Sequence, residues 1–342
     1  MPRKDDDLQL RVANDADLPS VLELMRQALG EGNIPRTREF FDWKHRESPF
    51  GPSPIWLAEE RSRLVGLRIF MPWRFRWGAG QESRAVRAVD TATHPDFQGR
   101  GIFKRLTLEL VEQVRRDGVD FIFNTPNEKS RPGYLKMGWS IAGVAPLFVR
   151  PEASSRLVFK ALRISRAPAS AEVSGGSELT RWLAEADGHG LMARAATASS
   201  PRHYRTPKSL QYLTWRYVRC PAATYHGATP DPERALVIYR VRERGGLREL
   251  SISELLFEPT RAGVSAAVKA LSEARARARA DYGLVAFERS ALQALVLTRA
   301  GFMPVPGRGP LLTTNALRPD AAAPNRADVR SFRTSIGDLE LF

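Results

Sequence analysis

One cysteine, Cys220, stands in a chain of 342 residues, so no disulfide can form within it. That suits a reducing compartment. Cys220 is followed by Pro221 and has no evident catalytic partner, so it reads as an inert small residue. The histidines at 45, 94, 189, 203 and 226 are scattered without paired ligand spacing, and no metal site is expected. No run of about 18 apolar residues occurs, so no membrane span is predicted. The charged start, Met1 to Leu10, lacks the apolar core of a secretory signal. No Walker loop, nucleophile elbow or other hydrolase signature is present. These absences lead to the expectation of a soluble cytoplasmic protein.

Lysine is scarce too: eight of the 52 basic residues are Lys and the rest Arg, and the formal net charge is +14. A basic surface attracts phosphate-bearing small molecules and nucleic acid alike. No nucleic-acid-binding motif accompanies the charge, so nucleic acid is not the expected partner. With 43% apolar residues the chain can bury a core in each of about two domains.

The apolar pattern predicts a mixed α/β domain ending near Arg150. Leu8–Ala13 reads as a strand, and Asp15 or Asp17 as the cap of a helix carrying Leu18, Val21, Leu22, Met25 and Leu29. A second helix is expected over Thr37–Arg46, then strands Ile55–Glu60, Leu64–Trp77 and Arg84–Thr93. A helix over Gly101–Arg116, a strand Phe121–Asn124, a short helix Tyr134–Met137 after an interruption at Pro132, and a strand Ile141–Val149 complete it. Ala167–Ser177 has linker composition. The expected division is thus 1–150, a linker region 151–180, and 181–342.

The second half repeats the first in outline. Trp43 and Pro49 have counterparts in Trp215 and Pro221, six residues apart in both copies. A strand pair follows each time, then a Pro, a long helix, and a closing Gly138-Trp139 or Gly301-Phe302. This ordered series suggests a duplicated domain. Ser331–Phe342 carries apolar residues expected to dock.

The most informative stretch runs Asp90-Thr91-Ala92-Thr93-His94-Pro95-Asp96-Phe97-Gln98-Gly99-Arg100-Gly101-Ile102-Phe103. A strand breaks at a Pro, and a glycine turn opens an amphipathic helix. Helix N-termini leave amides unpaired and carry partial positive charge, so such a turn suits a phosphate-bearing ligand. Arg100, Lys104 and Arg105 add cations.

This stretch resembles the CoA-binding motif of the GNAT acyltransferase superfamily, [Gln/Arg]-x-x-Gly-x-[Gly/Ala]. Gln98 and Gly101 match, whereas Phe103 stands where that family has a small residue. Asn127, Ser130, Tyr134, Lys136, Gly138 and Trp139 then fit a second family segment at every spacing. The resemblance is close over residues 8–150 and worn over 180–315. It implies a mixed-sheet GNAT fold followed by a degenerate GNAT-like domain. It also implies an N-acyltransferase with acetyl-CoA as acyl donor and the primary amine of a small molecule, such as an amino sugar, as acceptor. The implied cofactor contacts are Thr91, Ala92, Thr93, Gln98, Gly99, Arg100, Gly101, Ile102, Phe103, Asn127 and Lys136.

By the same resemblance the strand Asp90–Thr93 splays from its neighbour to pair with the pantetheine arm, and a backbone amide there polarises the thioester carbonyl. Tyr134 matches the general acid that protonates the departing thiolate. The base is open between Asp90, His94, His45 and a water chain. In outline the chain resembles Eis-like tandem acetyltransferases without their third domain, which adds the carboxylate of Phe342 as a further catalytic candidate. In the second copy Leu297 stands at the Tyr134 position and Ser265 at the Gly101 position, so that copy is expected to be non-catalytic. The other readings are a non-catalytic module binding acyl-CoA or a polyanion, and an aminoacyl transferase of the cell-wall type. A homo-oligomer stays open.

Overall fold

The computed structural model of the chain describes residues 7–30, 34–152, 169–172, 177–185, 190–197, 202–286 and 290–339. The chain divides into two units. The first comprises Met1–Phe75, Glu82–Ile141 and Thr313–Ala322, and the second Arg76–Gln81, Ala142–Leu312 and Ala323–Phe342.

In the first unit β1 (Leu8–Val12) leads to α1 (Leu18–Leu29) and α2 (Arg38–His45). Asp17 is the N-cap of α1, without a side-chain cap bond to it, and Asn14 caps the short turn Asp15–Asp17 just before: its side chain accepts from Ala16 N while Asp17 accepts from Asn14 N. Such a reciprocal cap satisfies two amides that a helix start leaves unpaired. Thr37 caps α2 by accepting from Phe40 N at 3.2 Å. Strands β2 (Ile55–Glu60), β3 (Arg63–Trp77) and β4 (Gln81–Thr93) follow, then α3 (Ile102–Arg116), β5 (Phe121–Asn124) and α4 (Arg131–Lys136). Pro132 does not interrupt α4 but sits in its first turn, where its missing N–H has no intrahelical acceptor to lose.

Strands β1 to β5 lie side by side in chain order. The β1–β2 and β2–β3 pairs are antiparallel and β4–β5 is parallel. In the β2–β3 ladder Ala58 opposes Gly66 and Glu59 opposes Leu64, so Val65 is an extra residue. Beyond this bulge Leu67 and Ile69 pack with α1 residues Val21, Leu22 and Met25, while Phe70 packs with α3 residues Leu110 and Val111. Each of these buried side chains contributes about 1.5–3 kcal/mol relative to exposure.

Strand β4 breaks the same alternation. Ala88 joins the α3 cluster, yet Ala92, four residues on, joins the α1 cluster. Strict alternation would keep both on one face. The β4–β5 ladder covers only Ala85, Val86 and Arg87 opposite Phe121, Ile122 and Phe123. Past Arg87 the strand runs on to Thr93 without β5 beside it.

The strand expected over Ile141–Val149 is two strands, β6 (Ser140–Val144) and β7 (Leu147–Pro151), separated at Ala145-Pro146, where Pro lacks a ladder donor. The second unit continues with β8 (Ala169–Glu172), α5 (Ser177–Glu185), α6 (Leu191–Thr197), β9 (Tyr204–Arg205), α7 (Leu210–Leu213) and β10 (His226–Ala228). Then come β11 (Ala235–Arg244), β12 (Leu247–Phe257), α8 (Arg261–Ala278), β13 (Tyr282–Ala286), α9 (Ala291–Arg299) and β14 (Met303–Val305). Most of the expected linker lies outside the described residues.

Here β11 and β12 are antiparallel, β13 is parallel to β12, and β7 pairs with both β13 and β14. The series of two neighbouring strands, long helix, parallel strand and short helix is that of β3, β4, α3, β5 and α4. Residues 313–316 of β15 (Leu311–Ala316) pair antiparallel with β5 in the first unit. The last described segment, β16 (Phe332–Arg333) and α10 (Ile336–Leu339), is docked, with Ile336, Asp338 and Leu339 buried. Phe342 lies outside the described residues.

Candidate active site

The glycine turn is built for close approach. A short turn over Pro95–Phe97 is capped by His94, whose Nδ1 accepts from Asp96 N. Gly99 and Gly101 then take φ of +76° and +75°, a region that costs other L-residues about 1–2 kcal/mol. Gly101 is the N-cap of α3, and no side chain caps that helix. Among the described residues the amides of the first turn are therefore open to an anion. Gln98, Gly99, Gly101, Lys104 and Arg105 are exposed around it. Arg100 makes a bidentate ion pair with Glu60 at 2.6 and 2.9 Å and holds that carboxyl below its usual range.

Behind the turn, Tyr134 is buried on the α3 side of the sheet. Its oxygen accepts from Arg68 Nη2 at 2.7 Å. Arg68 Nη1 donates to the carbonyl of Val89 at 2.7 Å and reaches that of Asp90 at 3.5 Å. Arg68 is fully buried between the Phe70 and Phe103 rings. The Phe103 ring stands edge-on to Tyr134, at 5.6 Å between centroids. A Cβ on Gly133 would meet Phe103 at 3.1 Å, so the bulk at position 103 is matched by its absence at 133.

On the opposite face of β4 the Asp90 side chain meets α2. Its Oδ2 lies 2.8 Å from Lys44 Nζ and 2.9 Å from His45 Nε2. His45 Nδ1 lies 3.1 Å from Ser53 Oγ. Burial alone would raise the Asp90 carboxyl, but Lys44 and the His45 hydrogen bond outweigh it and hold it well below the usual carboxylate range. Burial lowers both the Lys44 ammonium and the His45 imidazole, against the pull of Asp90. Neutral His45 therefore donates from Nε2 to the carboxylate and presents a lone pair on Nδ1 to the Ser53 hydroxyl.

Of the other residues singled out in the sequence, Thr91 Oγ1 donates to Leu67 O at 3.3 Å, Ala92 is buried, and Thr93 is half-buried at the end of β4. Asn127 Oδ1 accepts from the amide and hydroxyl of Ser130, ordering the entry to α4. Lys136 is exposed. His94, one of the candidate bases, is buried and hydrogen-bonded to Arg63. Trp43 and Trp73 are core aromatics packed on Phe40 and on Phe50 and Phe123. Arg68, Lys44 and Arg36 were not singled out. The signal for Arg68 was a lone charge inside the apolar run Leu67-Arg68-Ile69-Phe70.

The second unit differs at both matching places. The start of α8 is closed by Thr260, whose hydroxyl accepts from Gly263 N at 3.0 Å, and a Cβ on Gly263 would collide with the Glu258 carbonyl. Leu297, at the Tyr134 position, is buried in an apolar cluster.

Among the described residues no helix is long and apolar enough to cross a membrane, and no group of three or more His, Cys, Asp or Glu is arranged to hold a metal. The family model "Acetyltransferase (GNAT) domain" matches residues 9–142. The glucosamine 6-phosphate N-acetyltransferase of Trypanosoma brucei brucei is 28% identical over 137 residues, 39% of this chain and 89% of that protein. Two solved structures are alike in fold at 14% identity, each covering 91% of this chain and 73% of its own. They are a probable N-acyltransferase from Enterococcus faecalis, at a TM-score of 0.60, and Eis1 from Mycobacterium abscessus, at 0.55. Residues 9–142 thus match the GNAT acetyltransferase domain, and the fold is the mixed α/β GNAT fold.

Proposed function

We propose that the first unit transfers an acetyl or other short acyl group from CoA to the primary amine of a small molecule, by direct attack in a ternary complex. The observation that carries this reading is the separation of two polar sites by β4. The Arg68–Tyr134 pair lies on one face and the Asp90–Lys44–His45 group on the other. The amine must reach the face of the thioester carbonyl while the departing sulfur meets an acid elsewhere, and a strand freed from its neighbour beyond Arg87 offers backbone groups between the two sites.

In this reading the amides at the start of α3, with Gly99 and Gly101, take the diphosphate of CoA. The pantetheine arm pairs along Asp90–Thr93. The acceptor amine is held by Asp90, which stays ionised and serves as an anchor for an ammonium better than as its base. One proton leaves the ammonium to water, the freed amine attacks the thioester carbon, and the C–S bond breaks as the tetrahedral adduct collapses. The sulfur takes the Tyr134 proton, the nitrogen gives a second proton to water and keeps one as the amide N–H, and Tyr134 is reprotonated from solvent. Arg68 occupies a lone pair of the phenol oxygen, which leaves the O–H free to donate. Positioning of the two substrates supplies much of the rate.

An amino sugar is the favoured acceptor class, because the relative matched over the same region is named for glucosamine 6-phosphate. The second unit, with a capped helix start and Leu297 in place of the acid, serves as a non-catalytic support. The test is release of free CoA thiol from acetyl-CoA across amino sugars, aminoglycosides and polyamines. Turnover with one class is expected. Binding of acetyl-CoA without acceptor-dependent release across the panel overturns the enzyme reading.

A further inference from the structure

Among the described residues, Arg36 and Lys44 both act on the Asp90 carboxylate, two cations to one anion. Arg36 stands just before the Thr37 cap of α2, and its carbonyl is tied to α1 by Arg26. Its side chain makes no hydrogen bond or ion pair with the described residues, and its Nε is shut from water. Burial lowers the affinity of Arg36 for its proton and Asp90 opposes this, while Lys44 feels the charge of both Arg36 and Arg87. Arg36, Lys44 and Asp90 therefore share one electrostatic neighbourhood. Both contacts on the Asp90 carboxylate fall on Oδ2, and its side chain keeps 13% exposure. Oδ1 is the oxygen left to receive a further donor.

An ammonium on Oδ1 would add a third positive charge beside Arg36 and Lys44, against the one carboxylate of Asp90 among the described residues. A buried guanidinium nitrogen without a partner is costly unless an acceptor meets it. The planar fork of a guanidinium is matched by the paired oxygens of a phosphate or a carboxylate.

Building on the acyl-transfer reading, we propose that the acceptor carries an oxyanion, phosphate or carboxylate, as well as its amine. Arg36 binds the oxyanion, with Lys44 adding field, while Asp90 Oδ1 holds the amine. The site then discriminates among amines by charge: a neutral-bodied amine leaves Arg36 without a partner and is a poor acceptor.

Calorimetric titration of the full chain saturated with CoA, so that no turnover occurs, tests this with two matched pairs. The pairs are glucosamine 6-phosphate against glucosamine, and 4-aminobutyrate against butylamine. The anionic member of at least one pair should bind about tenfold or more tighter, a difference of 1.4 kcal/mol; the pair that discriminates tells phosphate from carboxylate. Arg36→Gln should abolish that preference while leaving the affinity for CoA and the melting temperature near those of the unaltered chain. Equal binding within both pairs overturns the proposal, as does a preference that survives in Arg36→Gln. Because the readout is binding, charge discrimination without turnover would uphold this inference while the acyl-transfer reading failed.

Discussion

Arg68 donates to the Tyr134 oxygen at 2.7 Å and, with its other terminal nitrogen, to the Val89 carbonyl at 2.7 Å. One buried guanidinium thus locks the candidate acid to the point where β4 changes face. If Tyr134 protonates the thiolate, Tyr134→Phe keeps the ring packing against Phe103 and Trp139 but loses the hydroxyl, both its proton and the acceptor of Arg68. A fall in kcat of about 10²-fold or more is expected, the usual scale for a positioned acid, with CoA affinity little changed. Steady-state thiol release and direct CoA titration check it; wild-type kcat would remove Tyr134 from that role.

Arg68→Lys separates charge from geometry. A lysine is a point charge and cannot span both Tyr134 and the β4 carbonyls. The variant should show a lowered kcat together with a weaker KM for acetyl-CoA, because the acid and the strand edge both lose their tether. A change in kcat alone would show that Arg68 does not position β4.

The elements were largely legible because their causes are local. Helical spacing in Leu18–Leu29 and the two glycines at φ near +75° are set within a turn or two of chain. Boundaries were missed where a neighbour decided them, as with the turn that Asn14 caps ahead of α1 and Pro132 starting α4 instead of interrupting it. The site was legible only where a motif pointed. Arg68 and Tyr134 are 66 residues apart, and His45 and Asp90 are 45 apart. No periodicity relates such pairs; the fold brings them together. The pairing of Thr313 with Asn124 lies further still beyond sequence pattern.

Gly66 is a test of the packing beneath the cofactor turn. A Cβ there would lie 2.5 Å from Ile102 Cγ2 and 3.0 Å from both Ala58 Cβ and Leu106 Cδ1. Ile102 is the first residue of α3, directly after Gly101. Gly66→Ala should therefore displace the start of that helix. We expect a stability loss of about 1–3 kcal/mol in urea unfolding, the scale of overpacking, and a weaker affinity for CoA. Loss of stability with unchanged CoA affinity would show that the turn does not depend on this contact.

Asp90→Asn leaves Lys44 buried without its counter-charge. Removing one partner of a buried pair costs about 3–5 kcal/mol, so the variant should be that much less stable at neutral pH. The folded carboxyl is held low, so its contribution is present above the unfolded value of about 3.9 and is lost as pH falls through the lower folded value. The gap between the two proteins should therefore narrow under strongly acidic conditions. Pairing the change with Lys44→Met should restore much of the stability at neutral pH; if it does not, the ion pair is not the cause.

In the second unit the docked C-terminal segment meets two carboxylates around one lysine. Lys208 Nζ lies 2.5 Å from Glu254 and 2.6 Å from Asp338, while Tyr217 and Ser335 donate to Glu254 at 2.6 and 2.7 Å. Burial raises the Glu254 carboxyl, the Asp338 charge adds to this, and the Lys208 and Tyr217 contacts only partly offset it. The folded chain therefore holds the Glu254 proton more tightly than the unfolded chain does. That contribution is present below the unfolded value of about 4.3 and is lost as pH rises through the raised folded value. Lys208, itself raised, stays charged throughout this window. Glu254→Gln keeps an acceptor oxygen but no longer ionises, so the melting temperature of the variant relative to wild type should climb as pH increases from about 4 to 7. A difference that stays constant across that range would mean Glu254 does not titrate there, and that the clamp on the C-terminal segment is insensitive to pH.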